Sequence, residues 1–413
     1  MFNEIKQLHK RLQLDISSIV GFFGIFIYTI SLTLPITLSI PLTILCVCGI
    51  IVGICDNKKQ FKLTSPTVIC IFFFIVSLFI SYSVSKDKIL SFQLSLVLFP
   101  ALLLYYLIIE NSNIKNIFCL YIILTIVIFN ISFTYIITSL YSVDSDPGLW
   151  IKKISIPSFL VPNDLIILPI LLPFTIVLFL KTNQLSLKIF SIVTIFSSII
   201  ATCLYQSRLG MLLIIICNII AGIMLFRKFS IYGITITILL FLLIEWFQDF
   251  AIISKCSTIG WKSRLPVWIT AFTMFVDSPI IGHGPRTFGI HYFEYLNKTN
   301  LPSWFIIDKR FTPWAHNLYL EILAEQGLIG FTIISILLIY TLILLINLIK
   351  SDNYNLYLLS MAPFISLILI LVASVFELSF IRHWFVIIFF ILLAIINSLT
   401  NTKNCLNTER SFL

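Results

Sequence analysis

The chain has 413 residues, of which 59% are hydrophobic and only 11% are charged, and its formal net charge is +9. Soluble domains are about half apolar and about a quarter charged, so this composition excludes an ordinary soluble protein. The positive residues form no basic tract, which argues against nucleic-acid binding and favours membrane topology and phosphate chemistry. The nine cysteines are scattered, so neither a disulfide framework nor a metal cluster is expected.

Apolar runs of about twenty residues recur from end to end, which is typical of a polytopic helical membrane protein. The first run begins near Ser17 and lacks a small-residue cleavage site, so we interpret it as a retained span. The sequence predicts an all-α fold with about twelve transmembrane helices. They lie near residues 17–34, 37–55, 66–83, 89–109, 115–139, 165–180, 187–204, 210–226, 230–248, 327–349, 355–376 and 380–399.

These helices divide the chain into three parts. Residues 1–248 hold transmembrane helices 1–9, residues 249–315 form one long polar loop with short helices, and residues 316–413 hold a re-entry helix and helices 10–12. With both termini cytoplasmic, the short inner segments carry fourteen Lys and Arg residues and the short outer segments carry six. This bias follows the positive-inside rule and places the long loop on the extracytoplasmic side.

The long loop contains two motifs of interest. The segment from Arg264 to Phe272 predicts an amphipathic helix that begins near Pro266. The turn Gly282-His283-Gly284-Pro285-Arg286 follows. Glycines let a backbone approach a ligand closely, and arginine offers several donors to phosphate. A plain turn between two surface helices explains the same pattern equally well.

Two arginines interrupt apolar sequence near the outer boundary. Arg208, in Ser207-Arg208-Leu209-Gly210, must reach lipid headgroups, form a pair or line a polar cavity. Its flanking Ser and Gly favour a tight, inward-facing break. Arg382 and His383 lie near Glu377, and a structural ion pair is the simplest interpretation of that group.

His316 is the sharpest candidate for chemistry, because it lies where the polar loop re-enters apolar sequence. Helical spacing places Asn317, Glu321 and Glu325 on one face of the helix that follows. An imidazole in this position can accept a proton from a hydroxyl near neutral pH. A hydrogen-bonded interfacial histidine without a chemical role is the alternative.

These residues resemble the O-antigen ligase/polymerase family of bacterial inner-membrane glycosyltransferases. The family's ligases carry His, then Asn, Ser or Gln, nine residues, Gly, two residues, and Gly, Thr or Tyr. The chain matches this pattern with His316, Asn317, Gly327 and Gly330.

Three other segments are similar to family motifs. Ser207–Gly210 resembles a Ser-Arg-Gly/Ala break with a leucine at the small position, and residues 264–284 resemble the loop between an arginine and a Gly-x-Gly turn. Pro162-Asn163-Asp164 resembles an Asn-containing segment before the sixth span. Relatives often place an arginine just ahead of it, whereas this chain has Lys152 and Lys153.

The resemblance implies a glycan donor linked to undecaprenyl diphosphate and used at the periplasmic face of the inner membrane. His316 would be the base for the acceptor hydroxyl, with Asn317 or Glu321 orienting it, and Arg208 and Arg264 would stabilise the departing diphosphate. Further candidates for substrate binding are Arg286, Asn317, Glu321 and Arg382. The sequence has no Asp-x-Asp motif or acidic pair suited to a divalent cation, so a metal-independent reaction without a cofactor is expected.

The complete His-Asn pattern favours a ligase that moves O-antigen from the lipid-linked donor to a lipid A-core acceptor. An O-antigen polymerase that joins lipid-linked repeat units is the main alternative, and protein O-oligosaccharyltransferases share the same motifs. A glycolipid flippase is a different class of protein with a similar number of spans. It would place charged residues along a central cavity rather than in one outer loop and at the outer helix ends.

Overall fold

The computed structural model describes residues 65–110, 114–141, 162–205, 207–226, 264–299, 301–302 and 312–411, with isolated positions between 235 and 246. Within these ranges the chain forms eleven α-helices and no strand. The helices are α1 (Pro66–Val84), α2 (Lys88–Glu110), α3 (Ile114–Tyr141), α4 (Ile167–Lys181), α5 (Leu185–Leu204), α6 (Arg208–Ala221), α7 (Arg264–Asp277), α8 (Phe288–Lys298), α9 (Leu318–Ile349), α10 (Tyr354–Phe376) and α11 (His383–Ser411). A 3-10 turn, Pro162–Ile166, leads into α4.

Within the described residues, eight segments are long and apolar enough to cross a membrane. They are Pro66–Val84, Ile114–Ile137, Asp164–Lys181, Leu185–Leu204, Arg208–Leu225, Leu318–Ile349, Tyr354–Phe376 and His383–Asn404. These segments confirm the predicted all-α polytopic fold, and the predicted span near 89–109 is the helix α2. The predicted spans near 17–34 and 37–55 lie outside the described residues, as does nearly all of 230–248. The total of twelve therefore stays a prediction.

The described spans pack around α4 and α11, which are the two most completely buried by protein. Helix α4 contacts α3, α5, α6 and α10, whereas α11 contacts α2, α9 and α10. Because lipid tails are as apolar as leucine, such packing relies on van der Waals contact and on polar contacts between helices. Tyr121 on α3 provides one of these, since its buried hydroxyl donates to the carbonyl oxygen of Leu359 on α10 at 2.6 Å.

Polar contacts define two ends of the bundle. At one end, Lys181 donates to Asn355 at 2.7 Å, which joins the end of α4 to the start of α10. At the other end, the Ser91 hydroxyl on α2 donates to the carbonyl oxygen of Pro285 at 2.7 Å. The short helices α7 and α8 lie over this second end, so residues of the predicted long loop gather where α1, α3, α5 and α10 finish.

Helix α9 is interrupted at Gly327, which has φ 63° and ψ −160°. The sequence predicts a span that begins at residue 327 after a re-entry helix, and in the structure helical residues lie on both sides of this break. The first part begins at Leu318, where the Asn317 side chain accepts a hydrogen bond from the backbone N–H of Leu320 at 3.1 Å. Asn317 is therefore the N-cap of the re-entry helix.

Candidate active site

His316 lies two residues before the first residue of α9, with φ 52°. A positive φ is uncommon for a residue with a side chain, so the surrounding contacts must hold it in place. The indole N–H of Trp314 lies 3.0 Å from Nδ1 of His316, and a carboxylate oxygen of Glu377 lies 3.2 Å from the same nitrogen. The imidazole is 21% exposed, so one part of the ring faces protein while another remains accessible.

Glu377 follows the last residue of α10 and is buried. Its Oε2 atom accepts a hydrogen bond from Nη2 of Arg264 at 2.5 Å, and its Oε1 atom accepts one from Nη2 of Arg382 at 2.5 Å. Arg264 also donates to the carbonyl oxygen of Phe376 at 2.9 Å. The Glu377 carboxylate thus contacts the start of α7, the His316 ring just ahead of α9, and the loop before α11.

Arg382 extends this network to the start of α4. Its guanidinium pairs with Asp164 in the 3-10 turn, and it stacks over the ring of Trp314 with 4.8 Å between the guanidinium carbon and the ring centroid. Asp164 also accepts from the indole N–H of Trp384 at 2.8 Å. We call Asp164, Arg264, Trp314, His316, Glu377 and Arg382 the ionic cluster. Its residues come from five separate places in the sequence.

The charges of the cluster offset one another. Burial raises the pKa of Glu377, but the hydrogen bond from His316 and the positive charge of Arg264 outweigh it, so that the pKa of this carboxyl lies below its usual range. Burial lowers the pKa of Arg382 to about 10, which still leaves the guanidinium charged at neutral pH. The buried pair of Glu377 and Arg382 is therefore ionised under ordinary conditions.

Nδ1 of His316 has two mutually exclusive partners. When Nδ1 carries no proton, it accepts from the indole of Trp314, and the neutral ring then has its proton on Nε2. When Nδ1 carries the proton, it donates to Glu377, and Nε2 has a free electron pair. Only the second form can take a proton at Nε2, and the carboxylate of Glu377 favours it electrostatically.

The structure places Arg208 at the same end of the bundle. It is the first residue of α6, where the Ser207 hydroxyl caps the helix by accepting from the backbone N–H of Gly210 at 3.3 Å. Helix α6 packs against the 3-10 turn that carries Asp164. The Arg208 side chain is exposed, whereas the side chain of Arg382 is only 6% exposed and is held by two carboxylates.

The turn before α8 contacts the backbone of α9. The backbone N–H groups of His283 and Gly284 donate to the carbonyl oxygens of Ala324 and Glu325 at 3.1 and 2.9 Å. A Cβ on Gly282, whose φ is 74°, would lie 2.3 Å from the carbonyl carbon of Glu325. The glycines thus allow contact with the backbone of α9, and these two N–H groups are bonded within the protein.

Glu325 closes the same contact from the other side. Its two carboxylate oxygens accept from the backbone N–H groups of Arg286 at 2.7 Å and Phe288 at 2.9 Å. Its carbonyl oxygen also accepts from the Ser81 hydroxyl on α1 at 2.5 Å. We call Gly282, Gly284, Glu325 and Gly327 the glycine junction. The Arg286 side chain is half-buried and remains a candidate for substrate binding.

Glu321 lies between the two regions, and its carboxylate accepts hydrogen bonds from groups other than the His316 ring. Its carboxylate accepts from the Ser379 hydroxyl and from the backbone N–H of Ala315 at 3.3 Å. The carboxylate in contact with the His316 ring is that of Glu377, which the sequence assigns to an ion pair with Arg382. The ion pair is present, but the contact with a histidine 61 positions away has no signal in the local sequence.

Among the described residues, no group of three or more His, Cys, Asp or Glu side chains is arranged to hold a metal ion. Residues 192–335 match the family model described as O-Antigen ligase. The matched range contains Arg208, Arg264, His316 and the glycine junction, and it ends before Glu377. No curated protein is detectably similar to the chain.

Proposed function

We propose that this chain, which belongs to the O-antigen ligase/polymerase family of membrane glycosyltransferases, is an O-antigen ligase. Its donor would be an O-antigen polysaccharide linked to undecaprenyl diphosphate, and its acceptor the lipid A-core. The protein would lie in the bacterial inner membrane with the ionic cluster facing the periplasm. The excess of Lys and Arg in the predicted inner segments supports this orientation.

The contact of His316 with Glu377 supports the proposal most directly. A base for a sugar hydroxyl needs a defined tautomer. The Glu377 carboxylate next to Nδ1 favours the tautomer that has its proton on Nδ1 and leaves Nε2 able to accept one. Arg264 donates to the same carboxylate, so Glu377 contacts both the proposed base and a cation for the leaving group. His316 is partly accessible while Glu377 is buried, which is the arrangement expected of a base and of the group that positions it.

In the proposed reaction, the acceptor hydroxyl oxygen forms a bond to the anomeric carbon as the bond from that carbon to the diphosphate oxygen breaks. The hydroxyl proton passes to Nε2 of His316. The leaving diphosphate gains negative charge, which preorganised guanidinium groups stabilise in a poorly solvated site. Direct displacement of this kind inverts the anomeric centre, and it requires neither a metal ion nor a cofactor.

The proposed roles of the arginines differ because their exposure and their partners differ. Arg208 is exposed and Arg286 is half-buried, so a diphosphate can reach both side chains. The side chain of Arg264 is 29% exposed and can share its charge between Glu377 and the leaving group. Arg382 is buried and pairs with both Asp164 and Glu377, which favours a positioning role over the substrate-binding role expected from its sequence.

The first test is the lipopolysaccharide of a deletion strain. Loss of a ligase leaves lipopolysaccharide without O-antigen and accumulates long lipid-linked chains. Loss of a polymerase instead leaves lipopolysaccharide with a single repeat unit, and this pattern would overturn the ligase assignment in favour of the alternative. Unchanged lipopolysaccharide together with a loss of glycan from proteins would indicate a protein O-oligosaccharyltransferase.

The second test uses His316→Ala and Arg208→Ala in the complemented deletion strain. We expect each to lower transfer by at least about 100-fold, because each removes a group that acts in the transition state. Protein levels in the membrane should stay normal, as immunoblotting would check. Normal transfer by both variants would exclude the proposed mechanism, and transfer by the purified wild-type protein in detergent would exclude a flippase.

A further inference from the structure

Helix α7 has its larger apolar side chains on the outside. The face that packs against α8 and α9 consists of Pro266, Val267, Thr270, Ala271 and Met274. The opposite face carries Leu265, Trp268, Ile269, Phe272, Phe275 and Val276, which fall within half a turn of the helix at 3.6 residues per turn. Of these, Leu265, Trp268, Ile269 and Phe275 are partly buried, and the Trp268 ring contacts Phe376 of α10. Phe272 is 53% exposed and Val276 is 60% exposed. A surface helix in water has the opposite arrangement.

This face of α7, its outward face, lies next to the exposed surface of a membrane span. Beyond α7, Ile280 is 61% exposed, and the backbone N–H of Leu328 donates to the carbonyl oxygen of Pro279 at 2.8 Å. Leu328 is 47% exposed and lies at the start of the spanning part of α9. Further along α9, Ile336, Ile339 and Ile343 are exposed in the same way. Exposed apolar side chains therefore lie both on the span and on the short helix, with Leu328 and Ile280 where the two meet.

The neighbouring helix α8 differs in character. Its exposed positions are Ile290 and Phe293 together with the polar residues Glu294, Asn297 and Lys298. Glu294 pairs with Lys298 at 3.0 Å and with Lys86 at 3.2 Å. Hydrogen bonds from these two lysines lower the pKa of Glu294 to about 2. On α7 the charged residues stand only at the two ends, Arg264 and Asp277. Charges at both ends with an apolar stripe between them suit a helix at a membrane interface.

We infer that α7 lies in the lipid interface of the bilayer with its outward face in the acyl-chain boundary, while the exposed face of α8 points to water. In water, the exposed apolar side chains of Phe272 and Val276 would be unfavourable. Proximity to the lipid-facing surface of α9 identifies the bilayer as the partner. Arg264 begins α7, so this placement sets the ionic cluster at the depth of lipid headgroups.

The inference can be tested on the wild-type protein in nanodiscs that contain a phospholipid with a photoreactive group on its acyl chain. Trypsin cuts after Arg264, Arg286 and Lys298, so α7 falls in the peptide 265–286 and α8 in the peptide 287–298. We expect the lipid label on the first peptide to exceed that on the second several-fold. The second peptide is a control from the same molecule.

A double substitution sharpens the test. Phe272→Asp with Val276→Asp changes two exposed side chains and leaves the packed face of α7 intact. We expect it to reduce labelling of the peptide 265–286 to the level of the control peptide, with no change at the exposed part of α9. Equal labelling of the two wild-type peptides would overturn the inference.

Discussion

The ionic cluster lies at the start of α9, and the glycine junction lies at the break in α9 at Gly327. The two regions hold this first part of α9 by different kinds of contact. At the start of α9, charged side chains from distant parts of the chain meet around Glu377, and His316 remains partly accessible. Nine residues after His316, Glu325 accepts hydrogen bonds from backbone N–H groups, and the glycines allow two backbones to touch. The first region contains groups that can move protons and stabilise charge, whereas the second contains contacts that fix the course of the chain.

This difference separates the parts of one sequence motif. The pattern His-Asn-x9-Gly-x2-Gly is one motif in the sequence, but its members have separate physical roles. His316 is the proposed base, Asn317 caps the helix, and Gly327 permits a backbone conformation that other residues rarely adopt. Substitutions at the two ends should therefore fail in different ways, and the following predictions are arranged from the largest expected effect to the smallest.

Gly327→Ala should have the largest effect. The φ of 63° with ψ of −160° is nearly restricted to glycine, and a Cβ would lie 2.4 Å from the carbonyl carbon of Ile280. Strain and overlap together should cost at least about 3 kcal/mol, so little folded protein should reach the membrane. Fluorescence-detected size-exclusion chromatography would measure the folded fraction. Leu328→Ala, at an exposed neighbour, is the matched control and should be nearly neutral.

His316→Gly should separate chemistry from folding. We expect transfer to fall by about 100-fold or more, because the base is lost. Thermal stability in detergent should stay within about 1 kcal/mol of the wild type, since glycine relieves the positive φ while the contacts of the ring disappear. A variant that unfolds would mean that the ring has a mainly structural role and would contradict the division between the two regions.

Glu377→Gln should have an intermediate effect on transfer and should alter the dependence of stability on pH. The folded-state pKa of Glu377 is lowered, so its carboxylate stabilises the fold above the ordinary glutamate pKa of about 4.3 and loses this contribution as the pH falls through the folded value. The variant should therefore melt below the wild type above about pH 5, and the gap should close at lower pH. Melting curves from pH 3.5 to 7.5 would measure it.

A control distinguishes positioning from simple stability in that experiment. Glu377→Asp keeps the charge and should recover part of the transfer that Glu377→Gln loses. If both variants melted alike and transferred normally, Glu377 would not position His316. A constant difference in melting temperature across the pH range would show that ionisation of Glu377 makes no contribution.

Much of the fold is predictable from the sequence because hydrophobicity acts locally. The runs that define α3, α5 and α10 carry their own signal, and their predicted ends lie within a few residues of the observed ones. The start of α7 near Pro266 is predictable for the same reason. The sequence also identifies His316, Arg208 and Arg264 as candidates, since polar residues at a membrane boundary are costly. The roles of these three residues stay predictions.

The partners of the candidates are not predictable in the same way. Glu377 contacts His316 across 61 residues, and Asp164 contacts Arg382 across more than two hundred. Nothing in the spacing of Glu321 reveals that it bonds Ser379, or that the Gly-x-Gly turn places its N–H groups on α9. Such contacts depend on which helix ends meet, and this in turn depends on how the spans pack.

By itself, the sequence determined that the chain is a helical membrane protein with its polar candidates gathered at helix boundaries. The cost of charge and of unpaired backbone groups in lipid leaves few other arrangements for such a composition. Only the tertiary structure decided that Glu377, rather than Glu321, supports His316, and that the motif glycines form a contact between two backbones. The physical reason is that burial and apolar periodicity act along the chain, whereas ion pairs and close backbone contacts require segments that are remote in sequence to meet.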